Sequence, residues 1–382
     1  MNPFRLLALL PALAAPAAAA EPADDSPPIV ITGKPLKDTE RALADCLARR
    51  CPPDRDIDAT LAHAENLFVA GDYKAARRTT LASIGRNKGQ ARAYPMHVSE
   101  LYRANGRIAA HLGEGRSYEF STTAIKRALR AGLPDDDVRL LGAELEIAAM
   151  HASFGRLDQS RRAYQEVQRR ARRLGREDIA AAARVRAAWL NHLAGHTELA
   201  RRALREIAAE RAPASRMPRL TALILLARLD RGQGDHASSD ALIEQLRAVG
   251  TDRPVLLFSP QVELPRRRVE GESGSATRRM AMEPFEKQWV DVGFRVTPEG
   301  RVDDVEVLRS QGNTRWAEPV LRSIAGRLYS PVAAPGGTYR VERYSFTSMW
   351  DHDAPGTRLR RRSPDARIEM LDLTSEPEPS GR

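Results

Sequence analysis

The chain has 382 residues, enough for two domains, and a formal net charge of +10. Its basic runs at 169–176, 266–268 and 358–362 contain no interleaved aromatic residues, which a stacking surface for nucleic acid would require. The basic runs therefore argue against nucleic acid, and in an exported protein the positive charge would favour acidic proteins or the anionic cell envelope as partners.

Residues 1–20 combine Arg5, a short apolar run and small residues before Glu21, which is typical of a secretory signal peptide. Prolines interrupt the apolar run, and it is shorter than the roughly 20 residues of a spanning helix. We therefore predict cleavage, periplasmic localisation and no membrane span in the mature chain. A retained anchor is the alternative. Residues 21–36, rich in Pro, Asp and Ala, are predicted to be disordered.

The cysteines Cys46 and Cys51 lie where a short predicted helix gives way to a turn. In an exported protein this favours a local disulfide. A redox pair usually has two intervening residues, whereas this one has four, and further ligands for a metal site are missing nearby. We predict that the two cysteines form a structural disulfide.

Residues 37–250 are predicted to be α-helical and repetitive. In the unit at 58–86, one apolar helical face is followed by Gly71-Asp72-Tyr73 and then by a second helix. Similar glycine turns recur about every 40 residues, at Gly113, Gly155, Gly195 and Gly234. With Ala75-Ala76 after the first turn, the pattern resembles tetratricopeptide repeats, whose period is about 34 residues. The resemblance implies stacked helical hairpins that bind other proteins; the longer period leaves the shape of the groove open, and an irregular helical domain is the alternative.

The sequence after residue 250 changes character. Residues 251–283 are predicted to be a connector that includes an extended segment at 255–258. Residues 284–350 then predict two strands, a helix and a third strand, at 289–297, 302–308, 314–328 and 339–349. Residues 351–382, rich in Pro, Arg and Glu, are predicted to be a disordered tail.

This β-β-α-β segment resembles the C-terminal domain of the TonB family. The matching features are Pro298-Glu299-Gly300-Arg301-Val302, the strand end at 305–310, Ala325 in the helix and Tyr329-Ser330-Pro331. The resemblance implies an α+β chain, a TPR-like solenoid followed by a small domain that grips a short peptide of outer-membrane receptors by strand pairing.

The last strand would be the peptide-binding edge. Its candidate residues are Tyr339, Arg340, Val341, Arg343, Tyr344 and Phe346. A free edge offers unpaired backbone groups to an added strand. Coverage by the 255–258 segment and use in a homodimer are the alternatives.

Motifs for catalysis or cofactor binding are missing from the sequence, and we predict a non-enzymatic chain without a cofactor or metal. His192 and His196 have the spacing of two ligands on one helical face, but Gly195 lies between them at a predicted turn. We therefore predict a periplasmic adaptor for proteins or peptides of the cell envelope. The alternatives are a TonB-type energy transducer held by an uncleaved N-terminal segment, and an enzyme or metal-binding protein.

Overall fold

The computed structural model describes residues 35–211, 216–235, 237, 240–241, 254–262, 287–331, 336–352 and 360–374. The predicted signal peptide, and residues 21–36 except the last two, lie outside these ranges. Ten α-helices come first in the described chain: α1 (Leu36–Ala48), α2 (Pro53–Val69), α3 (Tyr73–Asn87), α4 (Pro95–His111), α5 (Gly115–Gly132), α6 (Val138–Ser153), α7 (Leu157–Arg173), α8 (Glu177–Leu193), α9 (Thr197–Ala208) and α10 (Arg216–Gly232).

Tight glycine turns join these helices into antiparallel hairpins, as predicted. Between α2 and α3, Gly71 has φ +84°, a backbone conformation that a residue with a Cβ rarely adopts. Asp72 then caps α3 by accepting a hydrogen bond from the Ala75 amide at 2.9 Å. The same left-handed glycine recurs at Gly113, Gly155 and Gly195. The repeated turn therefore sets the period of the helical region.

Stacking of the hairpins builds a continuous core. The even-numbered helices α2 to α10 form one layer, because α2 contacts α4, and α8 contacts both α6 and α10. The odd-numbered helices α3 to α9 form the other layer. Between α6, α7 and α8 the core contains Leu141, Tyr164, Val167 and Ala183, all buried. Each hairpin thus buries its apolar face against its neighbours, which is the arrangement of helical repeats.

The predicted disulfide is present. Cys46 near the end of α1 is bonded to Cys51, and their Cα atoms are 5.2 Å apart. The bond closes the turn between α1 and α2, where Arg50 adopts a positive φ of 52°. It therefore fixes the first helix of the array to the second.

The C-terminal region forms an antiparallel sheet with strand order β3-β2-β5-β6, and β1 pairs with β4 beside it. The bounds are β1 (Leu256–Phe258), β2 (Trp289–Val296), β3 (Val302–Gln311), α11 (Glu318–Ala325), β4 (Leu328–Tyr329), β5 (Thr338–His352) and β6 (Arg360–Asp372). The predicted order of strand, strand, helix and strand is found, and β1 lies in the extended segment of the connector.

One face of the sheet packs on α11. Val290, Val292 and Phe294 of β2 are fully buried against Trp316 and Ile324. The helix is shorter than the predicted 314–328: a 3-10 turn precedes it, and the chain leaves it at Gly326. The end differs because Leu328 and Tyr329 pair with β1 instead of continuing the helix.

The prediction of an open β5 edge is wrong. The strand lies between β2 and β6, with Val290 opposite Tyr344 on one side and Tyr344 opposite Met370 on the other. The prediction of disorder for 351–382 is also wrong over 360–374. Ile368 is buried in the core beneath the sheet, and Met370 packs against the same core. The apolar alternation at the end of an Arg- and Pro-rich segment therefore supplies a fourth strand.

No helix in the described ranges has the length and apolar character needed to span a membrane.

Candidate functional site

The second face of the sheet packs on the helical repeats. Trp289 of β2 is buried with Phe68, Tyr73 and Leu112, which come from the ends of α2, α3 and α4. The indole fits over Gly71, where a Cβ atom would lie 2.6 Å from Nε1 of Trp289. The lack of a side chain at Gly71 therefore allows both the tight turn of the hairpin and the close packing of Trp289.

Arg343 of β5 is fully buried in this contact, at 0% exposure, and so is its partner Asp291. Its guanidinium pairs with Asp291 at 2.6 Å (Nε to Oδ1) and 2.9 Å (Nη2 to Oδ2). It also donates to the carbonyl oxygens of Phe68 at 2.8 Å and Val69 at 2.7 Å. These carbonyls belong to the last turn of α2, where helices leave carbonyl groups unsatisfied and the dipole favours a cation. Arg343 thus caps a repeat helix from within the sheet.

The ring of Trp289 completes the surroundings of Arg343, whose Cζ lies 3.9 Å from the ring centroid. Burial lowers the pKa of Arg343, but the hydrogen bond and the charge of Asp291 contribute to a net rise above the usual value. The ion therefore remains charged in the interior.

Ser345 joins the sheet to the next two helices. Its Oγ lies 3.0 Å from the hydroxyl of Tyr73 and 3.0 Å from Nδ1 of His111. Complete burial, and next the nearby charge of Arg343, lower the pKa of His111 to about 3. The imidazole is therefore neutral at neutral pH. We call this contact the first junction; its members are Phe68, Val69, Gly71, Tyr73, His111, Trp289, Asp291, Arg343 and Ser345.

The first junction extends towards α5. The Trp350 amide donates to the Gly113 carbonyl at 2.8 Å, in the turn between α4 and α5. Met349 packs where a Cβ on Gly115 would lie. The sheet therefore rests on two successive repeat turns.

The other residues predicted for the edge strand have partners within the chain. Tyr339 donates to Glu306 at 3.0 Å and remains half exposed. Two of the others contact residues at the end of β6 or just beyond it: Arg340 pairs with Asp372, and the Val341 carbonyl accepts from the Leu373 amide. The remaining two contact the interior of the domain, where Tyr344 donates to Glu342 and Phe346 stacks on Trp316. The structure brings these six residues onto one strand, as predicted, but it uses that strand to hold the sheet and the repeats together.

A second junction connects β1 to α10, the last of the ten helices. Leu257 of β1 is buried among Leu220, Leu223, Ile224 and Ala227. Arg228 of α10 lies beside this contact and points its Nε towards the Leu257 carbonyl at 3.4 Å. We call these six residues the second junction. The C-terminal domain therefore contacts the repeats near both ends of the described array.

Charged side chains lie on the even-numbered helices between these junctions. Arg103 of α4 pairs with Glu146 of α6 at 2.9 Å. Glu65 of α2 faces the charge of Arg107, and burial raises the pKa of Glu65 above its usual range. Arg107 and Ala149 are exposed. We call Glu65, Arg103, Arg107, Glu146 and Ala149 the inner surface, because they lie on one layer of helices.

The histidine pair is not assembled as a ligand set. His192 places Nδ1 3.0 Å from the Thr197 hydroxyl, and His196 precedes the first turn of α9. In the described part of the chain, groups of three or more His, Cys, Asp or Glu that could hold a metal ion are not found.

Comparison with known proteins gives similarity to solved structures only. The chain matches no family model and no curated protein. BtubC (BKLC) from P. vanneervenii is 13% identical over 56% of this chain and 89% of that one, with a TM-score of 0.43. TPR-like repeats from a Podosopora anserina protein described as a kinesin light chain are 16% identical, over 52% and 95% of the two chains, with a TM-score of 0.40. The quorum sensor NprR from B. thuringiensis is 12% identical, over 58% and 61%, with a TM-score of 0.39.

Proposed function

We propose that the chain is an exported adaptor that binds a partner protein or peptide on the inner surface of its helical repeats, without catalysing a reaction. The observation that carries this proposal is the stacked layer of even-numbered helices with exposed Arg107 and Ala149 beside the Arg103–Glu146 pair. Stacked repeats present extended surfaces of this kind, and such surfaces are used for binding.

The charges of the inner surface support a polar partner. Burial alone would lower the pKa of Arg103, but the charges of Glu146 and Glu100 raise it above the usual range. This ion pair joins α4 to α6 and keeps the two helices in register. The exposed Arg107 next to it is available to an acidic group of a partner.

The proposal assigns the TonB-like domain a structural role. A TonB-type transducer would need a strand edge for its receptor peptide, and the strand that the resemblance assigns to this role, β5, is paired with β6 from Glu342 to His352. The outer strands of the sheet are β3 and β6. The order of strands and helix in residues 284–350 is the remaining support for that resemblance. Fold resemblance alone does not carry function with it, so we place the adaptor first.

Two substitutions on the inner surface test the adaptor proposal. We expect Arg107→Glu and Ala149→Arg each to reduce capture of partners from a cell-envelope extract at least tenfold, because one reverses an exposed charge and the other adds bulk. Arg202→Glu, an exposed charge reversal on α9 of the other layer, is the matched control. Equal capture by all three variants and the unchanged chain, with unchanged thermal stability, would exclude the inner surface as the binding site.

The intact mass of the protein from an envelope fraction tests export. We expect a mature chain that begins near Glu21 and is lighter by two hydrogens because of the Cys46–Cys51 bond. A full-length chain in the inner-membrane fraction would favour the anchored energy transducer instead.

A further inference from the structure

A cluster of arginine side chains lies beside the second junction. Arg327 is buried between α11 and β4, where Nη1 donates to Glu342 at 2.8 Å and Nη2 donates to the Tyr344 hydroxyl at 2.6 Å. Arg340 approaches the same carboxylate at 4.0 Å. Glu342 therefore pairs with Arg327 and lies at longer range from Arg340, whose main partner is Asp372. Tyr344 also donates to Glu342.

Arg228 adds a third guanidinium beside this cluster. Its Nε lies 3.4 Å from the Leu257 carbonyl and its Nη2 lies 3.5 Å from the Leu256 carbonyl. Leu256 pairs with Tyr329, which follows Arg327 by two residues. The strand pair β1–β4 therefore brings Arg228 and Arg327 near each other, and the charge of Arg327 acts on Arg228.

Within the described ranges, the hydrogen bonds of Arg228 are these two long contacts with neutral carbonyl groups. Among the described residues it forms no ion pair, and the charge that acts on it is that of Arg327. Burial and then the charge of Arg327 lower the pKa of Arg228 to about 10. Within the described structure, Nε of Arg327 is also buried without a hydrogen-bond partner. Arg228 is partly buried, and a cation that loses part of its water without gaining a counter-charge is destabilised.

We propose that Arg228 and Arg327 form a binding site for an oxyanion, a carboxylate or a phosphate group, at the second junction. The donors left for it are Nη1 of Arg228 and Nε of Arg327, which form no hydrogen bond with a described residue. Carboxylate and phosphate oxygens both accept charge-assisted hydrogen bonds from guanidinium N–H groups. The anion would supply the negative charge that Glu342 cannot provide to Arg228, and it would join α10 to the C-terminal domain. The proposal does not depend on the adaptor function, because it concerns a different surface.

Thermal unfolding of the full-length mature protein with added inorganic phosphate or acetate, at constant pH and ionic strength, tests this site. We expect at least one of these anions to raise Tm by about 2 °C or more once it exceeds its Kd tenfold. Arg228→Met should abolish the rise. Arg219→Met, which removes an exposed arginine of the same helix, should retain it.

The two anions distinguish the sources of the ligand. A rise with phosphate alone assigns a phosphate group, and a rise with acetate assigns a carboxylate. If Tm responds equally in the unchanged protein and in both variants, the anions act on general surface charge and the proposal is wrong. It is also wrong if neither anion changes Tm in the unchanged protein. Isothermal titration calorimetry with the same anions should agree, with binding weakened at least tenfold in Arg228→Met.

Discussion

The two junctions hold the same sheet domain to the same repeats, but they balance buried charge differently. At the first junction, Arg343 has the Asp291 carboxylate, two helix carbonyls and an aromatic ring around it. At the second, Arg228 has two long carbonyl contacts and faces another arginine. A buried charge whose partners all lie within the protein acts as a structural clamp. A charge with few partners in the protein indicates a place where a ligand can bind.

The largest effect should follow from breaking the clamp. Arg343→Met should lower the free energy of unfolding by about 3–5 kcal/mol, because it leaves Asp291 buried without its internal partner. Urea unfolding, monitored by circular dichroism, measures this loss of stability. Arg309, half exposed, also pairs with Asp291, and Arg309→Met should cost about 1 kcal/mol or less. Equal losses in the two variants would show that Arg343 is not the clamp.

Two glycine substitutions distinguish the contact between Trp289 and Gly71 from the backbone strain of the turn. Gly71→Ala should cost about 2–4 kcal/mol, because it adds a contact of 2.6 Å with Trp289 to the strain of φ +84°. Gly195→Ala has nearly the same φ, +86°, and open space around the new Cβ, so it should cost only about 1 kcal/mol. If thermal denaturation gives the same loss for both, Trp289 does not pack on Gly71 in solution.

The first junction should also weaken in acid. The pKa of His111 is about 3 in the folded chain and near 6.5 when unfolded, so the unfolded state binds the proton first as pH falls. The stability that the neutral imidazole provides is present above pH 6.5. It should decline by up to about 1.4 kcal/mol per pH unit between 6.5 and 3. Urea unfolding from pH 7 to 5 measures this slope, and His111→Gln should flatten it. An unchanged slope in that variant would contradict the burial of His111.

The smallest effect is expected at the second junction. In buffer without phosphate or carboxylates, Arg228→Met should change the free energy of unfolding by less than about 1 kcal/mol. The reason is that removing a partly buried charge with no ion pair among the described residues offsets the lost carbonyl contacts. Differential scanning calorimetry of Arg228→Met, Arg343→Met and the unchanged protein compares the two losses of stability directly. A loss as large as that of Arg343→Met would mean that both junctions are clamps of the same kind.

Local patterns in the sequence predicted much of the fold. The glycine turns, the disulfide, the β2–β3 hairpin and the helix after it all depend on residues close together in the chain. These features follow from turn chemistry and apolar spacing, which can be read over short windows.

What the sequence could not predict depends on distant contacts. The alternation of Ile368 and Met370 was hidden behind the Arg-rich run and Pro364, so the fourth strand was missed and β5 was assigned as an edge. The burial of Arg343 depends on carbonyl groups some 275 residues earlier. One signal was present: Trp289 lies opposite the apolar face of β2, where a strand with one face in water usually carries polar residues.

Amide hydrogen exchange across β5 tests most directly whether the C-terminal sheet is built into the repeats as an interior partner. We predict that amides of residues 341–347 exchange as slowly as those of β2, because these strands are paired on both sides and packed on both faces. Exchange of β5 as fast as that of the outer strand β3, with β2 still protected, would contradict it and restore β5 as an open edge.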